Sequence, residues 1–301
     1  MLEPVKVSSD TFKKIQRQPN FGNDYNLYYL LTGEFPQNHV LNIEEPFAGY
    51  PKLKKLHELK AKHNLHHAHP AMGEQCTMKN LPDKLKSWAS DNMHFDVVMV
   101  HGCISPTPSL AALKSIPVAE ITPRPSLVFL WVPTSRLDDG RKALEHWGFR
   151  RSEDIVYFVS SEDSIHMPPP NPNQLLKSTT WHCLMGLKGT LRRSTDSNLI
   201  NCNVDIDSII ERPNQRPNVV PEDIYELIEN FSLMARRVHI LPTPSPLHLP
   251  VRLRPGWLIV SPDSLISNVD AEYFRGNPRV PVDPEIDMLR PKTPPNGNMS
   301  K

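Results

Sequence analysis

At 301 residues the chain can bury a core of its own, as one large domain or two small ones, and a net charge of +1 leaves nucleic-acid contact to local clusters of cations. Cys76, Cys103, Cys183 and Cys202 form no CxxC pair, which argues against a disulfide scaffold or zinc ribbon and for a reducing compartment. No apolar run approaches the ~20 residues that span a bilayer, and MLEPVKVSSD holds no secretory apolar stretch, so an intracellular soluble protein with no membrane partner is expected.

Residues 1–48 are polar with scattered aromatics and read as an extended arm. PKLKKLHELKAKHNLHH, from Pro51, has leucines at helical spacing after a proline suited to a first turn, predicting an amphipathic helix with a basic face. His63, His66, His67 and His69 lack a carboxylate or thiolate spaced to complete a metal site and read as a solvated tract. From Phe95 the texture is α/β. FDVVMV (95–100), SLVFLWV (126–132) and DIVYFVS (154–160) are runs of strand length whose near-continuous hydrophobicity predicts cover on both faces. Between the last two, residues 138–148 carry early acids, Leu144 and Trp147 on one face and Gly148 as a stop, so a strand, helix, strand unit and a parallel sheet are expected.

In the stretch from Trp181 to Asp207, His182 to Leu187 is a short strand interrupted by Gly186, and Gly189 suits a tight turn. Lys188, Arg192 and Arg193 follow, then Ser194 to Asn198, a turn composition that would set positive charge at a sheet edge. Residues 221–231 form an acid-led helix before strands RRVHIL (236–241) and GWLIVS (256–261), giving a Rossmann-like domain over about 91–262 interrupted by Pro-rich loops at 167–172 and 242–250. Residues 291–301 read as a disordered tail.

A Rossmann-like sheet binds its ligand beyond the carboxyl ends of the strands. No GxGxxG, P-loop or GxSxG follows any strand here. After FDVVMV comes His101-Gly102-Cys103-Ile104, without the acid or amide, carbonyl and aromatic ring that hold an adenine amine; Cys103 beside His101 has no orienting carboxylate.

HCLMGLKGTLRRSTD with NVDID (203–207), WGFRRSED (147–154), PEDIYELIENF (221–231), RPGWLIVSPD (254–263) and EIDMLRPKTPP (285–295) occur in one order. Together they resemble the mRNA adenosine N6-methyltransferase family, specifically its non-catalytic subunit, and within it the fungal karyogamy-regulator branch, over roughly 35–295. The resemblance implies a mostly parallel class I methyltransferase fold at 91–290 behind an N-terminal arm and helix at 1–90. It implies a nuclear protein that dimerises with a catalytic methyltransferase sister and supports mRNA binding; the karyogamy likeness also implies a DNA-bound transcription factor as partner. Active members carry Asp-Pro-Pro-Trp where this chain has HGCI, and a Phe-Gly-Arg segment that holds S-adenosylmethionine where it has Leu241-Pro242-Thr243-Pro244. Those departures imply neither catalysis nor a bound cofactor. By the same resemblance Arg141, Arg150, Arg151, Arg192 and Arg193 are RNA-binding, with Glu145 standing where the subunit has a basic residue, and Trp181, His182, Asn203, Asp205, Ile206 and Asp207 belong to the partner interface.

Overall fold

The computed structural model describes residues 8–16, 30–31, 47, 50–104, 106–170, 175, 177–191, 207–212, 220–233, 236–246, 249–276 and 283–290. The chain forms two compact units, Met1–Lys55 with Asn203–Ile206, and Leu56–Cys202 with Asp207–Lys301. In the first unit α1 spans Ser9–Gln16, with Asp10 in its first turn and lysines in its last. α2, Pro51–His67, begins there and carries its buried residues, Leu56, Lys60, His63 and Asn64, in the second.

The second unit is built on one sheet in the order β1-β8-β7-β2-β3-β5-β4-β6. The strands are β1 (Met72–Gln75), β2 (Val97–Val100), β3 (Ser126–Pro133), β4 (Arg150–Phe158), β5 (Thr180–Lys188), β6 (Ser208–Ile210), β7 (Arg237–Ile240) and β8 (Leu258–Ser261). Only β5 runs against its neighbours. The strand, helix, strand unit is therefore present, with β3 and β4 pointing the same way, yet the chain returns after β4 to insert β5 between them. That corrects the edge position expected for His182–Leu187, since β5 is paired on both sides. Gly186 lies where a Cβ would meet Val128 Cγ1 at 2.7 Å and Phe149 Cβ at 3.0 Å, and Gly189 turns at φ +82°.

Alternation along the central strands divides the core between two faces. Val98, Val100, Val128, Leu130 and Val132 meet α3 (Leu81–Ser90), α4 (Leu110–Ser115) and α5 (Leu137–His146). Val97, Met99, Phe129, Trp131 and Tyr157 meet α6 (Glu222–Phe231). Leu144 and Trp147 are buried as expected, and Gly148 ends α5 at φ +79°. α3 and β1 come from the part assigned to the N-terminal arm; β1 is an edge strand whose Gly73 and Gln75 amides donate to the side chains of Asn268 (2.8 Å) and Ser267 (3.1 Å).

α2 crosses the far side of α6. Lys60, expected on a solvated basic face, is fully buried and donates to the Asn230 carbonyl, and Asn64 donates to that of Glu229 at 2.6 Å. A cation and an amide thus serve the carbonyls that the last turn of a helix leaves open. The histidine tract is corrected likewise: α2 runs through His67, and His63 and His69 are buried. α2 closes on Leu233 and on Ile286 of α7 (Pro284–Leu289).

Candidate functional site

The connections from β2 and β7 leave in opposite directions, toward β3 and β8, so the crevice beyond their carboxyl ends is the switch point where an open α/β sheet takes its ligand. Here the chain's own groups occupy it. His101 follows β2 in the left-handed region at φ 63°, its N–H donating to the Ile240 carbonyl at 2.7 Å. Its own carbonyl accepts from His239 Nε2 at 2.8 Å. A carbonyl only accepts, so His239 carries its proton on Nε2 and Nδ1 accepts the Tyr225 hydroxyl at 2.8 Å. Burial pulls His239 down to about 4 and His101 down to about 3, which keeps both neutral.

The Pro-rich loop closes over them, Thr243 Oγ1 donating to the Pro106 carbonyl at 3.3 Å and the Ser245 amide to Asp263 Oδ2 at 2.5 Å. Between His101, Val220, Leu241, Ser245 and Asp263 a cavity of about 30 Å³ remains, room for about one or two waters. Small-molecule pockets take about 300 Å³ or more, so the described residues do not fit S-adenosylmethionine. Cys103 lies fully buried with Sγ 3.6 Å from His166 Nδ1, and burial pushes its thiol up, which makes it inert.

At the other end of the sheet one face is left open among the described residues. α5 packs on β3, β4 and β5, close enough at Gly140 that a Cβ would meet Leu184 Cδ1 at 2.7 Å. Past the reach of α5, among the described residues, no helix covers the β4–β6 pair, where Phe158 is 43% exposed and Ile210, its partner across the ladder, 69%. Beside them runs a polar strip. His182 Nδ1 donates to Asp154 at 3.0 Å, its Nε2 lies 3.1 Å from Thr134 Oγ1, and Thr134 meets the Thr180 hydroxyl at 2.8 Å. Asp207 is exposed at the start of β6, its carbonyl accepting the Val156 amide at 2.7 Å.

Trp181, expected at the partner surface, is fully buried on the opposite face and donates its indole N–H to the His166 carbonyl at 2.6 Å; it is a core residue. Strand alternation explains this, because His182 and Trp181 must face opposite sides. Asn203, Asp205, Ile206, Arg192 and Arg193 lie outside the described residues.

Arg150 and Arg151 open β4, both exposed, with Arg150 Nη2 3.5 Å from the Gly189 carbonyl. Their ladder partners, Leu187 and Gly186, lie on opposite faces, so the two guanidinium groups do too. Arg151 shares its face with α5, from which Arg141 projects, paired with Asp138 at 3.1 Å. Lys188 is not a free cation of the turn: its Nζ donates to the carbonyls of Ala119 and Thr122, at 2.9 Å each. Sequence reasoning missed Glu211, which follows β6 and accepts from the Ser160 amide at 3.0 Å and from the Ser164 hydroxyl, pinning the loop after β4; burial raises its carboxyl, and these bonds together outweigh it and hold it below the usual range. Nothing near it in sequence signals that role.

A doubly wound, mostly parallel sheet with one reversed strand and a crevice at the switch point defines a Rossmann-like fold of the class I methyltransferase type. Residues 104–262 match the MT-A70 family model, and the chain belongs to the MT-A70 family. It is 36% identical to the karyogamy protein KAR4 of Saccharomyces cerevisiae over 90% of this chain and 85% of that one. It is 35% identical to the N(6)-adenosine-methyltransferase non-catalytic subunit METTL14 of Drosophila melanogaster, over 97% and 78%. Arabidopsis thaliana MTB, also described as a non-catalytic subunit, is 30% identical over 62% of this chain and 26% of its own length. The resemblance read from the motifs is thereby met, both in family and in branch.

Proposed function

We propose that the chain is a non-catalytic subunit of a nuclear mRNA N6-adenosine methyltransferase complex, docking on a catalytic sister and extending its RNA-binding surface. The observation that carries this is the strand-end crevice, which among the described residues is filled by His101, His239 and the loop that Asp263 anchors and so supports a methyltransferase-type fold used without a bound cofactor. The uncovered face at Phe158 and Ile210 supports docking, and the names borne by the METTL14 relatives support a catalytic partner. Stable obligate interfaces bury upwards of ~2,000 Å², and the strip at Asp154 and His182 with the exposed Asp207 extends the apolar patch toward that size. Arg150 and Arg151 supply bidentate phosphate donors.

The test is calorimetric titration of S-adenosylmethionine into the isolated chain. No heat of binding is expected up to millimolar cofactor; micromolar affinity would overturn the reading. A second reading, a transcription cofactor for karyogamy and mating genes acting with a DNA-bound regulator, is favoured by the likeness to KAR4. Loss of RNA methylation with intact promoter association in Arg150→Ala/Arg151→Ala supports the first, and loss of promoter association alone the second.

A further inference from the structure

A second and larger cavity, of about 450 Å³, lies between α2 and α6. His57, Ala61 and Leu65 recur every four residues along its α2 wall, and Glu222, Glu226 and Glu229, four and three residues apart, line its α6 wall, so each helix offers one continuous face. Two of the three carboxylates have cations. Glu229 accepts Arg254 Nε and Nη2 at 2.7 and 2.9 Å and the Trp257 indole at 2.8 Å. Glu222 pairs with Arg252, and with Arg254 at 3.7 Å. Glu226, exposed at the groove wall, has no such partner among the described residues; partial desolvation there, then the neighbouring acids, raise its carboxyl above the usual range.

Two further features bear on the occupant. Leu65 stands 80% exposed on the rim. Beneath lies Arg237, 1% exposed, whose guanidinium, among the described residues, donates to the uncharged Ser232 O at 2.7 Å, Asn64 Oδ1 at 3.0 Å and Gly256 O at 3.4 Å, while its Nε finds no acceptor among them. The wall therefore offers a carboxylate to a cation, the rim an apolar contact and the floor a donor to an oxygen. A polypeptide segment with basic and apolar side chains answers all three. A nucleic acid answers less well: Arg252 and Arg254 already pair with Glu222 and Glu229, and the solvent-facing charge left without an opposite partner among the described residues is the Glu226 carboxylate, which would meet its phosphates.

The geometry assigns the groove between α2 and α6 to a basic segment of a partner polypeptide, with a lysine or arginine side chain on Glu226 and an aliphatic side chain against Leu65. This groove lies apart from the open β4–β6 face, and the inference stands without the function proposed above. Helix pairs commonly accept peptides this way, the anchoring side chains giving specificity and the groove excluding water.

The test uses the full chain and a fluorescein-labelled peptide, acetyl-Ala-Leu-Lys-Arg-Leu-Ala-amide, followed by anisotropy. Saturable binding is expected, weakened at least tenfold by Glu226→Lys and, independently, by Ala61→Trp, which fills the groove. Both positions face solvent, so melting temperatures should stay within a few degrees of the parent. The counterpart peptide with two glutamates in place of Lys-Arg should not saturate. Equal binding by parent and both variants, no binding by the parent, or an acidic peptide or oligouridylate that competes for the same site would overturn the assignment.

Discussion

Arg150 and Arg151 allow the RNA reading to be tested quantitatively. Both are exposed, and neither is among the ion pairs the described residues make, so each is free to meet a phosphate; Arg141 already holds Asp138 at 3.1 Å. On single-stranded RNA each phosphate contact lowers log K by about 0.7 per decade of salt. Carried from about 1 M, where the electrostatic contribution is small, to about 0.15 M, that slope is a factor of about four in affinity per contact. Because the two side chains leave opposite faces of β4, their contributions should add, so Arg150→Ala/Arg151→Ala should weaken binding by about fifteenfold and flatten the slope by about 1.4. Arg141→Ala should do less than either single change. The assay is anisotropy of a labelled oligoribonucleotide on the reconstituted complex at several salt concentrations, beside a melting curve. A melting temperature that falls while the slope stays put would refute the phosphate role and make the arginines structural.

Gly186→Val forces a side chain against Val128 and Phe149 and should cost about 1–3 kcal/mol, read as a lowered denaturation midpoint with an unchanged slope; a neutral result would mean β5 and α5 separate easily. Asp96→Ala strands the buried Arg236 guanidinium, which Asp96 holds at 2.5 and 2.9 Å, and should cost about 3–5 kcal/mol in the same assay. His239 and His101 have folded-state values near 4 and 3, below the unfolded value of 6.5, so the unfolded chain takes up protons first as pH falls. Stability should be complete above about pH 6.5 and decline by up to about 1.4 kcal/mol per pH unit for each histidine as pH falls toward 4. Urea titrations at pH 7, 6 and 5 would show it, and His239→Gln should flatten the decline.

The central strands were legible because continuous runs such as VVMV and SLVFLWVP occur only where both faces are covered, and α5 and α6 because both open on acids and carry apolar residues on one face, with Gly148 as a stop after α5. Strand order was not. A run such as WHCLMGLK reads the same in the middle of a sheet as beside its edge, and nothing local says that the chain returns to insert it between β3 and β4. The short β1, MGEQ, has too little alternation to announce itself. Lys60 and His63 look solvated in PKLKKLHELKAKHNLHH because what buries them comes from afar: the carbonyl that accepts Lys60 is 170 residues away. At the crevice, the departure of HGCI and LPTP from the motifs of the family's active members raised the expectation of no bound cofactor. That the loop folds in to fill the space depends on Asp263, which only the tertiary structure brings to Ser245. The placement of Trp181 went astray by one residue of alternation, which turns a surface position into a core one.

Size-exclusion chromatography with light scattering, on the chain co-expressed with a catalytic MT-A70 sister and again with Phe158→Glu/Ile210→Glu, tests the central claim most directly. The account predicts a one-to-one complex for the parent and separate monomers for the double variant, each with its parental melting temperature. A parent that elutes alone, or a variant that pairs as tightly as the parent, would contradict it.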